Sequence, residues 1–444
     1  MTRTVFALLI VVAFFAAAPA FSAQPHRVAL RFGWVVDGLG HSLPDAVVVI
    51  EGDRITSVGN GDHAVPSGTE VIDLRRYTGI PGLIDAHTHM TYYWDPASGT
   101  SPLRQARRDP FVTASLAFEN ARRTLETGVT TVRDLGASAG IDYMMRDEIN
   151  AGRKTGPRMF VAGQGISAGR GGPNPEAMRQ QVAARIQAGS DWVKVYGSRG
   201  SFQSVDTTQT VTFEEMQAIV DAAHALGHPV AIHSYGPSGV RDAVRAGADS
   251  VEHGIDLDDA TIADMVRRGT VWVPTIDHNR YYVEARDEYG FAPEAIPPLE
   301  AYIAKNLEST TRAVKAGVKI AMGSDAVYSM FGQNTRELAW MTKAGMTPAQ
   351  ALATATTVPA ALLGHQKDLG AVAPGYFADV VAVDGNPLAD ITVVIEQVKW
   401  VMKGGTVVVD KRSAPRERAS GSDAAVPPRV REYRWRVPPD HPPR

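Results

Sequence analysis

The sequence predicts an α/β protein built around a (β/α)8 TIM barrel, with a smaller β domain made by both ends of the chain. Between residues 81 and 365, eight short apolar runs alternate with alanine-rich helical stretches. This alternation is typical of repeated βα units and a parallel sheet, and eight such units close into a barrel. Alternating apolar and polar runs before and after this region predict the β domain. The length of 444 residues accommodates both parts.

The eight runs occur in the order in which barrel strands would follow one another. They are LIDAH, TTVRD, MFVAG, WVKVY, PVAIH, DSVEH, VWVPT and KIAMGSD. The β domain is expected to combine residues 24–80 with residues 366–410, where Gly, Asp and Pro break short antiparallel strands. Residues 411–444 hold nine basic and four acidic side chains and few apolar ones, which predicts a flexible or draped tail. A basic interaction arm is the alternative for this tail.

The beginning of the chain has the pattern of a secretory signal peptide. Residues 1–23 carry a positive charge, a short apolar core and then Ala18-Pro19-Ala20. The core is too short to span a bilayer, so we expect cleavage after Ala20, or after Ala23. The mature protein is therefore expected to be secreted, in the bacterial periplasm, without a stable membrane anchor. The chain contains no cysteine, which excludes disulfides, a thiol nucleophile and thiolate metal ligands.

The overall charge and composition indicate a small-molecule or peptide partner. A formal charge of −3 with 44% hydrophobic and 21% charged residues is the balance of a globular protein without an attraction to nucleic acid. We therefore expect no nucleic-acid partner.

Polar side chains lie at the ends of several predicted strands, where apolar residues would be expected. In PGLIDAHTHM, residues 81–90, side chains two apart share a face of the strand, so Asp85, His87 and His89 face the same way. In TIM-barrel enzymes this end of the strands carries the active site. Taken alone, two buried and hydrogen-bonded histidines are the structural alternative.

Other strands support a metal site, because they carry polar residues at the corresponding position. These residues are Lys194, His233, His253 and Asp325. Unpaired buried charges are costly, so several of them in register are better explained by a shared cation than by chance. Four imidazoles and a carboxylate suit Zn²⁺, with Co²⁺, Mn²⁺, Ni²⁺ or Fe²⁺ as alternatives.

Lysine is the exceptional member of this set, because its ammonium group repels a divalent ion. Reaction of the amine with CO₂ gives a carbamate, which is negatively charged and can bridge two metals. With this residue set the chain resembles the metal-dependent amidohydrolase superfamily, in its binuclear form with a carboxylated lysine. The resemblance extends to about residue 410 and is carried by GLIDAHTH, GVTTVRDLG, WVKVY, AIHSYG, VEHG and MGSD. It implies a distorted (β/α)8 barrel with a β-sandwich from both chain ends, and we expect a homo-oligomer.

The resemblance also implies a role for each polar residue. It implies two divalent ions and a carbamate, with His87, His89 and Asp325 on the first ion, His233 and His253 on the second, and carboxylated Lys194 as the bridge. A metal-bridging hydroxide would attack the substrate carbonyl, while Asp325 takes its proton and returns it to the leaving amine. Asp85 is outside this ligand set, and we expect it to orient a ligand.

Within the superfamily, the HSYG, EHG and VRDLG runs most resemble one group. This group contains Xaa-Pro dipeptidases, zinc carboxypeptidases, imidazolonepropionase relatives and ochratoxin-type amidases. The resemblance implies hydrolysis of an amide beside a free carboxylate, in a dipeptide or an N-acyl amino acid. The residues expected to bind such a substrate follow the barrel strands and are Tyr196, Tyr235, His278, Arg170 and Arg133. A purely structural role is the alternative for each of them.

The loop after the third predicted strand departs from the pattern of these relatives. Many of them have a Gly-Gly-His-Gly run there, whose histidine contacts the substrate carbonyl, whereas this chain has GQGISAGRGGPNPE. Arg170, His278 or the metal alone would then make that contact. Two other functions stay open, a hydrolase of cyclic amides such as lactams or imidazolones, and a non-catalytic binding protein on the same fold. The complete ligand set disfavours the binding protein.

Overall fold

The computed structural model describes residues 27–95, 101–105, 108–169, 171–200 and 205–412. The predicted signal peptide, Arg170 and nearly all of the predicted tail lie outside the described residues. The described residues up to Asp410 belong to one compact unit, so the predicted division of the chain at residues 80 and 365 stays a prediction. Within the described ranges, no helix combines the length and the hydropathy that crossing a bilayer requires.

The strands divide into an N-terminal set, a central set and a C-terminal set. Their bounds are β1 Arg27–Val36, β2 Ser42–Glu51, β3 Arg54–Asn60, β4 Glu70–Pro81, β5 Leu83–Thr88, β6 Val129–Asp134, β7 Arg158–Val161, β8 Val193–Tyr196, β9 Val230–His233, β10 Ser250–Glu252, β11 Val271–Val273, β12 Val380–Val383, β13 Val398–Lys403 and β14 Thr406–Asp410.

Most of the helices lie between the central strands. Their bounds are α1 Pro110–Glu126, α2 Ile141–Asn150, α3 Pro175–Gln187, α4 Phe213–Ala225, α5 Pro237–Ala246, α6 Asp259–Arg268, α7 Ile276–Glu284, α8 Arg286–Tyr289, α9 Ile296–Ala316, α10 Glu337–Lys343, α11 Pro348–Thr354, α12 Thr357–Leu362 and α13 Thr392–Glu396.

The two ends of the chain form one seven-stranded sheet in the order β14-β13-β12-β4-β1-β2-β3. The C-terminal set joins the N-terminal set where β12 runs antiparallel to β4, with Val380 opposite Pro81. Alternate side chains of β1, β2 and β13 share one buried core, in which Phe32, Val48 and Trp400 are fully buried. The predicted pairing of the two chain ends is therefore confirmed.

The central strands form two parallel sheets that are linked into a ring. β5, β6 and β7 make one sheet, and β8 to β11 make the other. Parallel bridges connect them, Ile166 with Val195 on one side, and Trp272 with Ile320 and Thr88 with Ala326 on the other. The last two bridges place the predicted eighth run, KIAMGSD, between β11 and β5. The predicted α/β fold class is confirmed.

Local sequence signals set the ends of the helices that connect these strands. At α4, Thr212 Oγ1 accepts a hydrogen bond from the Glu215 backbone N–H, and the Glu215 carboxylate accepts one from the Thr212 backbone N–H. This capping box satisfies two donors that a helix start otherwise leaves unpaired. Gly269 and Gly317 end α6 and α9 in the left-handed conformation, with φ of 74° and 83°. Each of these turns directs the chain into the next barrel segment.

Candidate metal centre

The six side chains expected to bind metal meet at the carboxyl ends of the ring strands. Each is at most 7% exposed. They are His87 and His89 on and just after β5, Lys194 on β8, His233 at the end of β9, His253 directly after β10, and Asp325 at the end of the eighth run. Their position is that of the active site in TIM-barrel enzymes.

His87, His89 and Asp325 form a group that fits a single divalent ion. The Nε2 atoms of His87 and His89 are 3.3 Å apart. Asp325 Oδ1 lies 3.6 Å from His87 Nε2 and 3.3 Å from His89 Nε2. All three ligand atoms therefore lie within 4.8 Å of one another. Two imidazole nitrogens and a carboxylate oxygen that converge in this way are a common donor set for zinc and similar ions.

Hydrogen bonds on the far side of these two imidazoles leave their Nε2 atoms available for a metal. His89 Nδ1 is 3.0 Å from the Gly136 carbonyl oxygen, which only accepts, so Nδ1 carries the proton. His87 Nδ1 donates in the same way to Glu252 Oε2 at 2.8 Å. Burial lowers the pKa of His87 to about 4, which keeps this ring neutral at physiological pH. Neutral, oriented imidazoles are the form that binds metal.

His233 and His253 form a second pair beside this group. Their ring centroids are 4.5 Å apart, and His253 Nε2 lies 3.9 Å from Asp325 Oδ2. The Gly200 carbonyl accepts a hydrogen bond from His233 Nε2 at 2.8 Å, which leaves His233 Nδ1 free of a proton. His253 Nδ1 is 2.6 Å from Thr275 Oγ1. Because burial lowers the pKa of both imidazoles, to about 3 for His233, both rings are neutral as well.

Lys194 is buried next to these imidazoles without a hydrogen-bond partner for its amine. Its side chain is 1% exposed, and Nζ makes no hydrogen bond with the described residues. Burial lowers its pKa to about 8, although the negative charges of Glu252 and Asp325 oppose this shift. An unpaired buried amine is costly, so its presence among these candidate metal ligands calls for a chemical partner. A carbamate on Nζ fits this environment.

Glu252 connects the metal centre to the barrel interior, and the sequence interpretation did not include it. Its carboxylate accepts hydrogen bonds from His87 Nδ1, from Arg133 Nη2 at 2.9 Å and from Ser250 Oγ at 2.5 Å. Burial raises the pKa of this carboxyl, but Arg133 and His87 outweigh burial and hold the pKa at about 2. Glu252 is therefore ionised. The available signal was a charged residue directly before His253 in the VEHG motif.

Asp85 holds the backbone of a ligand rather than its ring. Asp85 Oδ1 accepts from the backbone N–H groups of His87 at 3.2 Å and Ser324 at 2.9 Å. Its other oxygen accepts from Ser324 Oγ at 2.5 Å and Asn334 Nδ2 at 3.0 Å. Because Ser324 directly precedes Asp325, this carboxylate ties β5 to the eighth run and fixes the spacing between His87 and Asp325.

The backbone is strained at two ligands and tightly packed around the first group. His253 and Asp325 have φ values of 66° and 48°, a left-handed conformation that is unfavourable for side chains other than glycine. A Cβ atom on Gly323 would lie 2.7 Å from His87 Cβ, and one on Gly136 would lie 3.0 Å from the His89 ring. Only glycine lets these segments approach the imidazoles so closely.

His278 lies against Asp325. His278 Nδ1 donates to the Asp325 carbonyl oxygen at 2.8 Å, and His278 Nε2 is 3.3 Å from Asp325 Oδ2. The ring is 3% exposed and belongs to the first turn of α7. His278 therefore contacts the carboxylate that faces both histidine pairs, and its predicted contact with a substrate stays a prediction.

Tyr196 and Tyr235 also border the cluster. The Tyr235 ring packs 4.9 Å from the His253 ring and 5.1 Å from the His233 ring. The Tyr196 ring is 5.9 Å from His233 and 5.6 Å from Lys194 Nζ. Tyr92, which the sequence interpretation did not include, stacks on His89 at 4.5 Å with an interplanar angle of 10°. These aromatic rings flank the imidazoles and limit the access of water to them.

The two arginines predicted to bind substrate have different outcomes. Arg170 lies outside the described residues, so its role stays a prediction. Arg133 is fully buried, and its guanidinium donates to the Ala86 carbonyl at 2.6 Å, to Ser250 Oγ at 2.8 Å and to Glu252. Because these groups occupy its donors inside the barrel, the substrate-binding interpretation of Arg133 has no support. Its structural alternative, a pair with a barrel carboxylate, describes the geometry.

A ring of parallel strands that carries buried imidazoles, a carboxylate and a lysine at its carboxyl end is the arrangement of a metal-dependent barrel enzyme. A sequence profile of the Amidohydrolase family matches residues 78–408, and the chain belongs to this family. The predicted relationship to the amidohydrolase superfamily is confirmed.

Relatives with known names support a hydrolytic enzyme that acts on amides. Ochratoxinase of Aspergillus niger is 29% identical over 423 residues, which cover 84% of this chain and 85% of that protein. Imidazolonepropionase of Streptomyces griseus is 25% identical over 388 residues, which cover 78% of this chain and 88% of that protein. The crystal structure of a Xaa-Pro dipeptidase with methionine bound in its active site matches with a TM-score of 0.78 and 31% identity. That match covers 86% of this chain and 99% of the dipeptidase.

Proposed function

We propose that this protein is a binuclear metal-dependent hydrolase that cleaves a peptide-like amide bond next to a free carboxylate. The observation that carries the proposal is the unpartnered amine of Lys194, buried among four imidazoles and Asp325. A lone ammonium there would repel a metal ion, whereas a carbamate on Nζ would supply the negative ligand that a second ion needs. The donor set is then His87, His89 and Asp325 for one ion, His233 and His253 for the other, and carboxylated Lys194 for both.

Asp325 is the residue best placed to move a proton. When bound, two divalent ions, which we take to be Zn²⁺, would activate a water molecule and polarise the scissile carbonyl. Asp325 Oδ1 faces the first histidine pair, and Oδ2 faces His253 and His278 at 3.9 Å and 3.3 Å. The carboxylate would accept the proton of the attacking water and give it to the leaving nitrogen. His278 would fix the backbone of Asp325 through its Nδ1 hydrogen bond to the Asp325 carbonyl oxygen.

The substrate assignment is supported by the relatives and by the groups that border the cluster. A dipeptidase with a bound amino acid and an ochratoxinase are among the related proteins. We propose a dipeptide or an N-acyl amino acid as substrate, with ochratoxin-like amides included. Tyr196, Tyr235 and His278 would contact it, as would Arg170. We further propose a secreted, periplasmic homo-oligomer, from the signal-like residues 1–23 and from the resemblance.

A panel of matched substrates tests this function. Metal-loaded protein is assayed with dipeptides and N-acyl amino acids that carry either a free or an amidated C-terminus, and with lactams and imidazolones. We expect hydrolysis of the free acids and a KM that is higher by about tenfold or more after amidation, because a charged contact is lost. Asp325→Asn is the inactive control. Equal KM values for both forms contradict the carboxylate requirement, cleavage of the cyclic amides alone indicates the imidazolonepropionase-like alternative, and binding without hydrolysis indicates a non-catalytic protein.

A further inference from the structure

Glu252 is the buried carboxylate that contacts one ligand ring of the metal centre directly. It is 0% exposed, and its Oε2 accepts a hydrogen bond from His87 Nδ1 at 2.8 Å. His87 lies in a different part of the chain, 165 positions before Glu252. Glu252 therefore sets which nitrogen of His87 carries the proton and how the ring is rotated towards Asp325.

A second set of contacts prevents Glu252 from turning away. Its other oxygen, Oε1, accepts from Arg133 Nη2 at 2.9 Å and from Ser250 Oγ at 2.5 Å. Arg133 is itself fixed by the Ala86 carbonyl at 2.6 Å, by Ser250 Oγ, and by the Trp192 ring, whose centroid is 4.4 Å from the guanidinium carbon. Because Ala86 directly precedes His87, the arginine holds both the ligand strand and the carboxylate that orients the ligand.

Among the described residues, no carboxylate contacts the far-side nitrogen of the other three imidazoles. His89 and His233 donate to the backbone carbonyls of Gly136 and Gly200, and His253 bonds to the hydroxyl of Thr275. An anionic acceptor makes a metal-bound imidazole a stronger donor than a neutral acceptor does, because it stabilises the positive charge that the ring shares with the metal. This difference between the imidazoles predicts that the two ions are bound with unequal affinities.

We propose that Glu252 is a positioning residue for His87 and that it selectively strengthens the binding of the ion held by His87, His89 and Asp325. This inference deepens the proposed function and rests on it only for the number of ions. The ion on His233 and His253 receives no such support, so it is bound more weakly and exchanges more readily than the first ion. The selective effect separates a positioning role from a purely structural one, which would affect both ions together.

Metal affinities of isosteric variants test the inference. Zn²⁺ binding to metal-free protein is measured by competition with a chromophoric chelator, for wild type, Glu252→Gln and Glu252→Leu. We expect Glu252→Gln to lower the affinity for one ion by about 10- to 100-fold. Glu252→Leu should lower that affinity further, because glutamine keeps a neutral acceptor for His87 and leucine does not. The affinity for the other ion stays unchanged. Glu119→Gln is the matched control, since Glu119 is a partly exposed carboxylate that pairs with Arg122 instead.

Double variants identify the ion that is affected. His89→Ala removes a ligand of the first ion, so adding Glu252→Gln to His89→Ala should weaken the remaining ion no further. Equal weakening of both ions in Glu252→Gln, or affinities equal to those of wild type in both Glu252 variants, overturns the inference. A wild type that binds one ion instead of two contradicts the binuclear proposal, while the Glu252 effect on that ion is still measured. Thermal unfolding of the metal-free variants shows whether a loss of folding accounts for a loss of affinity.

Discussion

The stability of the barrel is expected to depend on Arg133. This side chain is fully buried and its guanidinium binds the Glu252 carboxylate, the Ser250 hydroxyl and the Ala86 carbonyl. In Arg133→Leu, the carboxylate keeps the hydrogen bonds from Ser250 and His87 but loses its cation. Removing one partner of a buried ion pair costs about 3–5 kcal/mol, because the remaining charge is left uncompensated away from water. We expect the free energy of unfolding to fall by that amount.

Urea unfolding of the metal-free protein, followed by far-UV circular dichroism, measures this loss. Arg122→Leu is the matched control, because Arg122 pairs with Glu119 at the surface with 52% of its side chain exposed, and such pairs contribute less than about 1 kcal/mol. The variant Arg133→Leu/Glu252→Leu should lose less stability than Arg133→Leu alone, since no unpaired carboxylate remains. A loss in Arg133→Leu as small as that in Arg122→Leu would refute the reasoning.

Three further predictions concern the carboxylates and the lysine. Burial raises the pKa of Asp134 to about 7, so the stability that its bound proton provides is complete below pH 3.8 and disappears as the pH rises through 7. Between pH 3.8 and 7, the free energy of unfolding of Asp134→Asn, measured with urea, should rise by roughly 4 kcal/mol relative to that of wild type. A difference between the two proteins that does not depend on pH would contradict this. Asp325→Asn should keep the wild-type circular dichroism but lose turnover by about 100-fold or more, and near-normal turnover would exclude a role in proton transfer. Because the pKa of Lys194 is about 8, zinc uptake in bicarbonate should become faster from pH 7 to 9. Lys194→Arg, whose guanidinium stays charged, should abolish that pH effect, and a retained effect would count against the carbamate.

The sequence was sufficient to locate the barrel strands and the polar side chains that cluster at their ends, because both depend on local patterns. β5 is buried along its whole length, as its apolar run predicts, and the spacing of His87 and His89 follows from the two-residue repeat of a strand. His233 and Asp325 were recognisable because each ends a short apolar run, and Lys194 because it interrupts the apolar residues of β8.

The partners of these ligands were not predictable in the same way, because they depend on tertiary contacts. Arg133 was interpreted as a substrate-binding residue, but its partner Glu252 is 119 positions away and becomes its neighbour only when β6 and β10 face the same interior. The left-handed conformations of His253 and Asp325 were likewise not predictable, since a residue other than glycine adopts this conformation only where its surroundings impose it. Tyr92 comes three positions after His89, beyond the strand, where the two-residue repeat no longer applies.

The central claim is that Lys194, together with four histidines and Asp325, holds two divalent ions. Its most direct test is the metal content of zinc-reconstituted wild type and Lys194→Met, measured by inductively coupled plasma mass spectrometry after gel filtration. The account predicts two ions per chain in wild type and one or fewer in Lys194→Met. Two ions in both proteins, or a wild type that hydrolyses amides without bound metal, would contradict it.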